Sequence, residues 1–296
     1  NLNYKNYIIN QGEQIKAGIC VIVSANDKKV YLDDLVIYGG IIFNIDPQKK
    51  AVRKRYEQFA LTEFTINELT KRYDQIELAL APQFEDMRPF IWHEYNNKDP
   101  KSHFELDLRY TSYIDISSLS KNEADEKTSS AFRCMETLRQ RHIKDATKQG
   151  AIVRHGSNCE ILVRYYIELM KLQGDPICAE KAMRITNLLN GLIRSKRCIV
   201  FEILNTQNTV LYTVAYAWDI KRAYYLFGAG NPITSEPWQG TIAHWSAFNY
   251  MAKKLGIKEV DMEGINSPNR GWFKLGFGGI IKPYYQTYKR KNCDNL

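Results

Sequence analysis

No apolar run in this 296-residue chain approaches the roughly 18 residues of a membrane span, and no charged-then-apolar leader opens it. Cysteine is sparse and scattered: Cys20, Cys134, Cys159, Cys178, Cys198 and Cys293 contain no Cys-x-x-Cys pair. That excludes a disulfide framework. The five histidines supply no zinc spacing, so no metal is expected. These absences point to the reducing cytoplasm and disfavour a catalytic Cys–His pair.

What is present is a globular composition, 44% hydrophobic and 25% charged, long enough for two domains of ordinary size. The formal charge of +8 favours anionic partners, namely phosphates, sugar nucleotides, RNA or an acidic membrane surface, so peripheral membrane association is compatible with it. The most basic short segment is 282–291, with four cations, three tyrosines and no acid.

The first third reads as strands around 6–10 and 15–24, then a β-rich run 30–43 interrupted at Gly39-Gly40. A bulge, a close ligand approach or a plain strand break would each explain those glycines. Helix is expected over 51–73, strand over 75–80 and 104–113, and one highly charged helix over 127–149 after a start near Ser117 to Ser120, Glu123 and Asp125. Further helices follow at 158–173 and 179–194. Segments 198–205, 210–218 and 222–228 are expected to form an antiparallel meander, since Thr206-Gln207-Asn208 and Asp219-Ile220-Lys221 are turn sequences. A loop, a helix over 240–255 and a strand over 258–262 close the pattern. Because crossovers are right-handed and short, the strands near Val214 and Val260 are expected side by side and parallel.

Two stretches carry candidate chemistry. At 260–279 an apolar strand ends in Asp261 and Glu263, and a Ser267-Pro268 turn opens a short helix with Arg270, Trp272, Phe273 and Lys274 before Gly278-Gly279. In a regular strand the two carboxylates would point to opposite faces, one into a cleft. Arg270 and Lys274 share a helical face by their i, i+4 spacing. Trp272 and Phe277 are read as core. At 82–113, Arg88 and Arg109 offer planar cationic forks for phosphate or carboxylate, and Trp92, Tyr95, Tyr110 and Tyr113 offer flat faces for a sugar or base. An ion-paired, aromatic-rich core edge is the plain structural alternative there.

The order strand, Asp-x-x-Gly, variable turn, Phe-Lys, Phe-Gly resembles the signature of FemAB-type and related GNAT-like N-acyltransferases. Asp86-Met87-Arg88-Pro89-Phe90-Ile91-Trp92, Arg109-Tyr110-Thr111 and Tyr38-Gly39-Gly40 are similar to further elements of those proteins, in the same order. The resemblance spans roughly residues 15 to 290. It implies a mixed α/β, GNAT-like fold in two related lobes: 1–154 on the acceptor side and 155–296 on the acyl-donor side, with an exchange of elements able to blur the boundary near 154–158. Family members carry more chain ahead of this point, so upstream residues are expected to be missing, a processed N-terminus being the alternative.

By the same resemblance, the activity is transfer of an acetyl or aminoacyl group to an amino group of a sugar nucleotide or cell-envelope glycan precursor. Asp261 or Glu263 would take the proton. Tyr38, Arg88, Trp92, Arg109 and Tyr110 would bind the acceptor, and Arg270, Phe273 and Lys274 the donor. Lys274→Ala is expected to fold normally. The donor is either acyl-CoA (acetyl-CoA) or aminoacyl-tRNA. Acetyl-CoA enzymes of this fold carry Gln/Arg-x-x-Gly-x-Gly/Ala before the helix, and Gln239-Gly240 does not complete that pattern. The rival is a non-catalytic module that kept the fold to hold an anionic glycan or RNA.

Overall fold

The computed structural model describes residues 3–120, 126–234 and 236–290. In chain order the elements are β1 (Asn3–Gln11), β2 (Gln14–Val23), β3 (Lys29–Tyr31), β4 (Ile41–Phe43), α1 (Ala51–Arg72), β5 (Gln75–Leu80), α2 (Arg88–Ile91) and β6 (Glu105–Asp115). Then come α3 (Ser130–Arg133), α4 (Thr137–Lys148), β7 (Ile152–Gly156), α5 (Glu160–Leu172), α6 (Ala179–Arg194), β8 (Cys198–Leu204), β9 (Val210–Trp218) and β10 (Ala223–Gly230). The last are α7 (Pro237–Leu255), β11 (Glu259–Asp261), α8 (Pro268–Leu275) and β12 (Ile280–Arg290). The mixed α/β class is thus observed. No helix among the described residues is long and apolar enough to cross a membrane.

The chain divides into two compact units, 1–110 with 282–296, and 111–281. The boundary expected near 154–158 falls at β7, inside the second unit. The reason is packing: Phe132, Met135, Ile143 and Ala146, from α3 to α4, share one apolar core with Trp245, Phe248 and Met251 of α7. The C-terminal strand, in turn, pairs with β5 of the first unit, Tyr285 opposite Leu80 through Arg290 opposite Gln75.

In the first unit β1 and β2 form a hairpin, β3 joins β5 in parallel, and α1 covers one face. Alternation puts Ile76, Leu78 and Leu80 of β5 into the core with Ile66 and Leu69 of α1 and Phe90 of α2. Gly40 takes φ +97 and stands so close to Leu80 that an added Cβ would meet its Cδ2 at 3.0 Å. That left-handed turn, with Gly39 bridged to Leu80, breaks the expected 30–43 strand.

In the second unit β8, β9 and β10 form the expected antiparallel meander. β11 is parallel to β10, with Ala223 opposite Val260 and Tyr224 opposite Asp261. The parallel neighbour is therefore β10, not the strand bearing Val214, because β9 and β10 form a hairpin that interposes β10. α7 links the parallel pair; Pro237 opens it and Gly256, at φ +67, ends it. The single helix expected over 127–149 is broken into α3 and α4. The 276–278 turn packs into the break: an added Cβ at Gly278 would lie 2.3 Å from the Cys134 carbonyl oxygen, and Glu136 N–H donates to Gly276 O at 2.9 Å. Glu123, Asp125 and Cys293 lie outside the described residues.

Candidate functional site

β11 ends at Asp261, whose side chain is fully buried. Its Oδ1 accepts from the Thr111 hydroxyl at 2.6 Å and from the Glu263 N–H at 2.8 Å. Its Oδ2 has no partner among the described residues. Burial outweighs the backbone hydrogen bond and the nearby Lys274 charge, and raises this carboxyl to about 7.

Glu263 departs from the expected geometry. Its backbone is left-handed, φ +49, a conformation costly for a residue with a side chain. The chain therefore leaves the strand after Asp261, and the two carboxylates do not go to opposite faces. They sense each other and Lys274: Glu263 is held well above the usual carboxylate range by burial first and Asp261 second.

Lys274 reaches back from α8, donating to the carbonyl oxygens of Glu263 at 2.7 Å and Gly264 at 3.0 Å. Its ammonium lies 5.0 Å from the Tyr225 ring centroid. Burial lowers it to about 8 against the pull of the two carboxylates. Of its three donors, one remains beyond those two carbonyl bonds. The ammonium braces the strained 263–264 turn, so the expectation that Lys274 is dispensable for folding is corrected. Arg270, one turn earlier, is exposed, so the shared helical face does not give the two cations one environment.

Phe273 is packed among the rings of His244 and Phe277, at 5.5 and 5.4 Å between centroids, and carries the Arg139 guanidinium 4.4 Å from its own centroid. It is structural support for α8. Phe277 is fully buried, as read from the sequence, but Trp272 is 74% exposed and is not core.

Three participants were not singled out beforehand. Thr111 anchors Asp261. His244, on α7, is fully buried, with Nδ1 2.5 Å from the Tyr216 hydroxyl and Nε2 without a partner among the described residues; burial lowers it to about 3. Arg139 of α4 is buried against Phe273 and Phe277. Thr111 stood in the Arg109-Tyr110-Thr111 element without a role of its own, and no spacing marks His244 or Arg139; the contributing elements lie up to 150 positions from Asp261.

In the first unit the acceptor candidates do not gather. Arg88 donates to Asp86 from Nε at 2.8 Å and from a terminal nitrogen at 2.6 Å, and lies 5.4 Å from both the Phe59 and Trp92 rings. This is the helix-covered side. Arg109 contacts Asp107 at 3.4 Å, and its charge acts on Tyr288 of β12. Tyr288 stands opposite Glu77, whose alternate neighbours Ile76 and Leu78 fill the core, so Arg109 belongs to the other face. Tyr38 packs edge-on against Tyr284 at 5.2 Å, and Tyr110 is 39% exposed. One cleft lined by Arg88 and Arg109 is therefore not formed within this unit.

The N-terminus of α7 offers a CoA pyrophosphate few free donors. Pro237 lacks an N–H, Gln239 N–H is taken by Glu236 O at 3.1 Å, and the Glu236 carboxylate sits there accepting from Trp238 Nε1 at 2.6 Å.

No family model and no curated protein matches the chain. Solved structures share its fold. FemX superposes with TM-score 0.60 at 11% identity, over 96% of this chain and 88% of that one. The C-terminal DUF2156 domain assigned to a lysylphosphatidylglycerol synthetase of Agrobacterium fabrum gives 0.57 at 6%, over 96% and 84%. A tandem GNAT protein from the clavulanic acid biosynthesis pathway gives 0.52 at 8%, over 99% and 85%. At such identities the likeness is one of fold, and the fold is of the FemX and GNAT type.

Proposed function

We propose that this chain is an amide-forming acyltransferase that moves an aminoacyl group from an ester donor, of the aminoacyl-tRNA kind, to an amino group on a sugar-nucleotide or glycan-precursor acceptor. The observation carrying this reading is the cluster of Asp261, Glu263 and Lys274, a proton acceptor raised to about 7 beside a cation lowered to about 8. Perturbed acids and bases paired in this way are common at catalytic sites. The shared fold with FemX supports the reaction class. The mismatch at the α7 mouth favours an ester over a CoA thioester.

In the proposed reaction the acceptor amine, arriving as ammonium, loses a proton to the Asp261–Glu263 pair. The neutral nitrogen then attacks the ester carbonyl. A C–N bond forms and a tetrahedral oxyanion develops; as the C–O bond breaks, the nitrogen's second proton passes to the leaving alkoxide, and the first is released from the carboxylate pair to solvent. The Lys274 ammonium is suited to stabilising the oxyanion. Holding amine and ester together supplies much of the rate. In the two-lobed assignment the first lobe takes the acceptor on one of its two faces, that of Arg88 and Trp92 or that of Arg109, and the second holds the donor through Arg270 and Lys274.

The test is incubation of the chain with labelled aminoacyl-tRNA or acetyl-CoA and a panel of amino-sugar nucleotides, followed by mass spectrometry. Amide product from the aminoacyl ester is the expected result. Product from acetyl-CoA alone would overturn the donor assignment, and tight acceptor binding without any transfer would favour a non-catalytic module.

A further inference from the structure

Away from the carboxylate cluster, the first unit carries a cleft of about 640 Å³ between α1 and β1. Its floor is apolar: Ile9, Ala60, Leu61 and Phe64 line it. A second hollow of about 260 Å³ shares Ile9 and Phe64 and continues towards Leu69. Two large side chains stand open over this groove, Tyr56 at 69% and Phe64 at 52% exposed. Apolar surface of this kind in a concave site marks a ligand or a contact.

The charge is confined to one end. Lys50 and Arg53 make no ion pair among the described residues. The acid of the groove, Glu57, already accepts from Lys49 at 2.5 Å and faces Lys16 at 3.6 Å. Four cations thus meet one carboxylate there. At the far end Arg72 is matched by Glu68 at 3.5 Å. From Arg53 to Phe64 the helix advances about 16 Å at 1.5 Å per residue. That is close to half the roughly 30 Å hydrocarbon core of a bilayer, the reach of one lipid tail. A peptide strand added to the open edge of β1 would have no need of the cation cluster, whereas four cations at one end of an apolar floor match a phosphate headgroup and its chain.

We propose that this cleft takes an acyl chain of an anionic phospholipid, with the phosphate on Lys50 and Arg53 and the chain along Leu61 and Phe64, holding the first unit on an acidic membrane surface. The proposal is independent of the acyl-transfer reading.

Sedimentation with vesicles tests it, comparing pure phosphatidylcholine with equal parts phosphatidylcholine and phosphatidylglycerol. Binding to the mixed vesicles alone is expected. The double variant Lys50→Ala/Arg53→Ala should weaken it at least tenfold. Phe64→Gln, which leaves the charge unchanged, should do the same, while Lys171→Glu, on α5, should not. Circular dichroism melting of each variant separates lost binding from lost folding. No binding by the parent chain, or full binding by a folded Phe64→Gln, would overturn the proposal, the latter leaving only diffuse charge attraction. Self-association that the same variants abolish, without vesicle binding, would assign the cleft to a second copy and also overturn it.

Discussion

The end of β11 and the α2–β6 region each bring cations and acids together, yet they differ in what surrounds the charges. Asp261 is fully buried and Glu263 and Lys274 are half-buried, and each is displaced from its ordinary titration range by burial before any other cause. Arg88 and Asp86 meet at the surface with ideal fork geometry, and the carboxyl is simply held low by its partner. Desolvation makes a proton affinity adjustable, whereas an exposed pair is screened and contributes little. Similar residue types thus produce a titrating cluster in one unit and a surface clasp in the other.

The largest expected effect follows from Asp261→Asn. Removing a proton acceptor should lower transfer about 100-fold or more. Asp261 binds its proton more tightly folded (about 7) than its ordinary 3.8, so the folded chain holds the extra proton between those values. Stability from this group therefore falls as pH rises from about 4 to 7, by an amount on the order of 4 kcal/mol. Chemical denaturation across that window should show a flatter pH dependence in the variant. An unchanged slope together with unchanged transfer would erase the contrast between the two units.

Lys274→Ala comes next. It should lower the efficiency of transfer at least tenfold, equivalent to 1.36 kcal/mol. It should also destabilise the chain by about 1–3 kcal/mol, since the Glu263 and Gly264 carbonyls lose their donor. Denaturant titration and initial rates at subsaturating donor separate the two losses. A variant that melts like its parent would mean that the ammonium does not brace the turn.

Arg88→Ala should have the smallest effect on folding, with no resolvable change in melting temperature, because its clasp with Asp86 is exposed. Calorimetry with an amino-sugar nucleotide then sharpens the comparison. Weaker binding at unchanged stability would make Arg88 an acceptor contact, and unchanged binding would leave it a surface clasp.

Much of the fold was legible in the residues. Helix α6 and strand β5 run over the residues expected, and the β8–β10 meander follows turn sequences such as Asp219-Ile220-Lys221. Local periodicity and turn chemistry act over a few residues and can be read directly. The misplacements were long-range. The 127–149 helix is broken where Gly278, more than a hundred positions on, packs against Cys134 and Gly276 accepts from Glu136. Trp272 is exposed because hydrophobic character says nothing of which stripe of α8 faces the core.

The sequence by itself determined that two acids end an apolar strand and that an Arg and a Lys follow on a short helix. Only the tertiary structure decided what those groups are. The left-handed turn at Glu263 turns its carboxylate to the same site as Asp261, Thr111 arrives from β6 to hold Asp261, and Lys274 folds back onto the turn. A proton affinity depends on solvent and on charges nearby in space, and neither is written in the spacing along the chain.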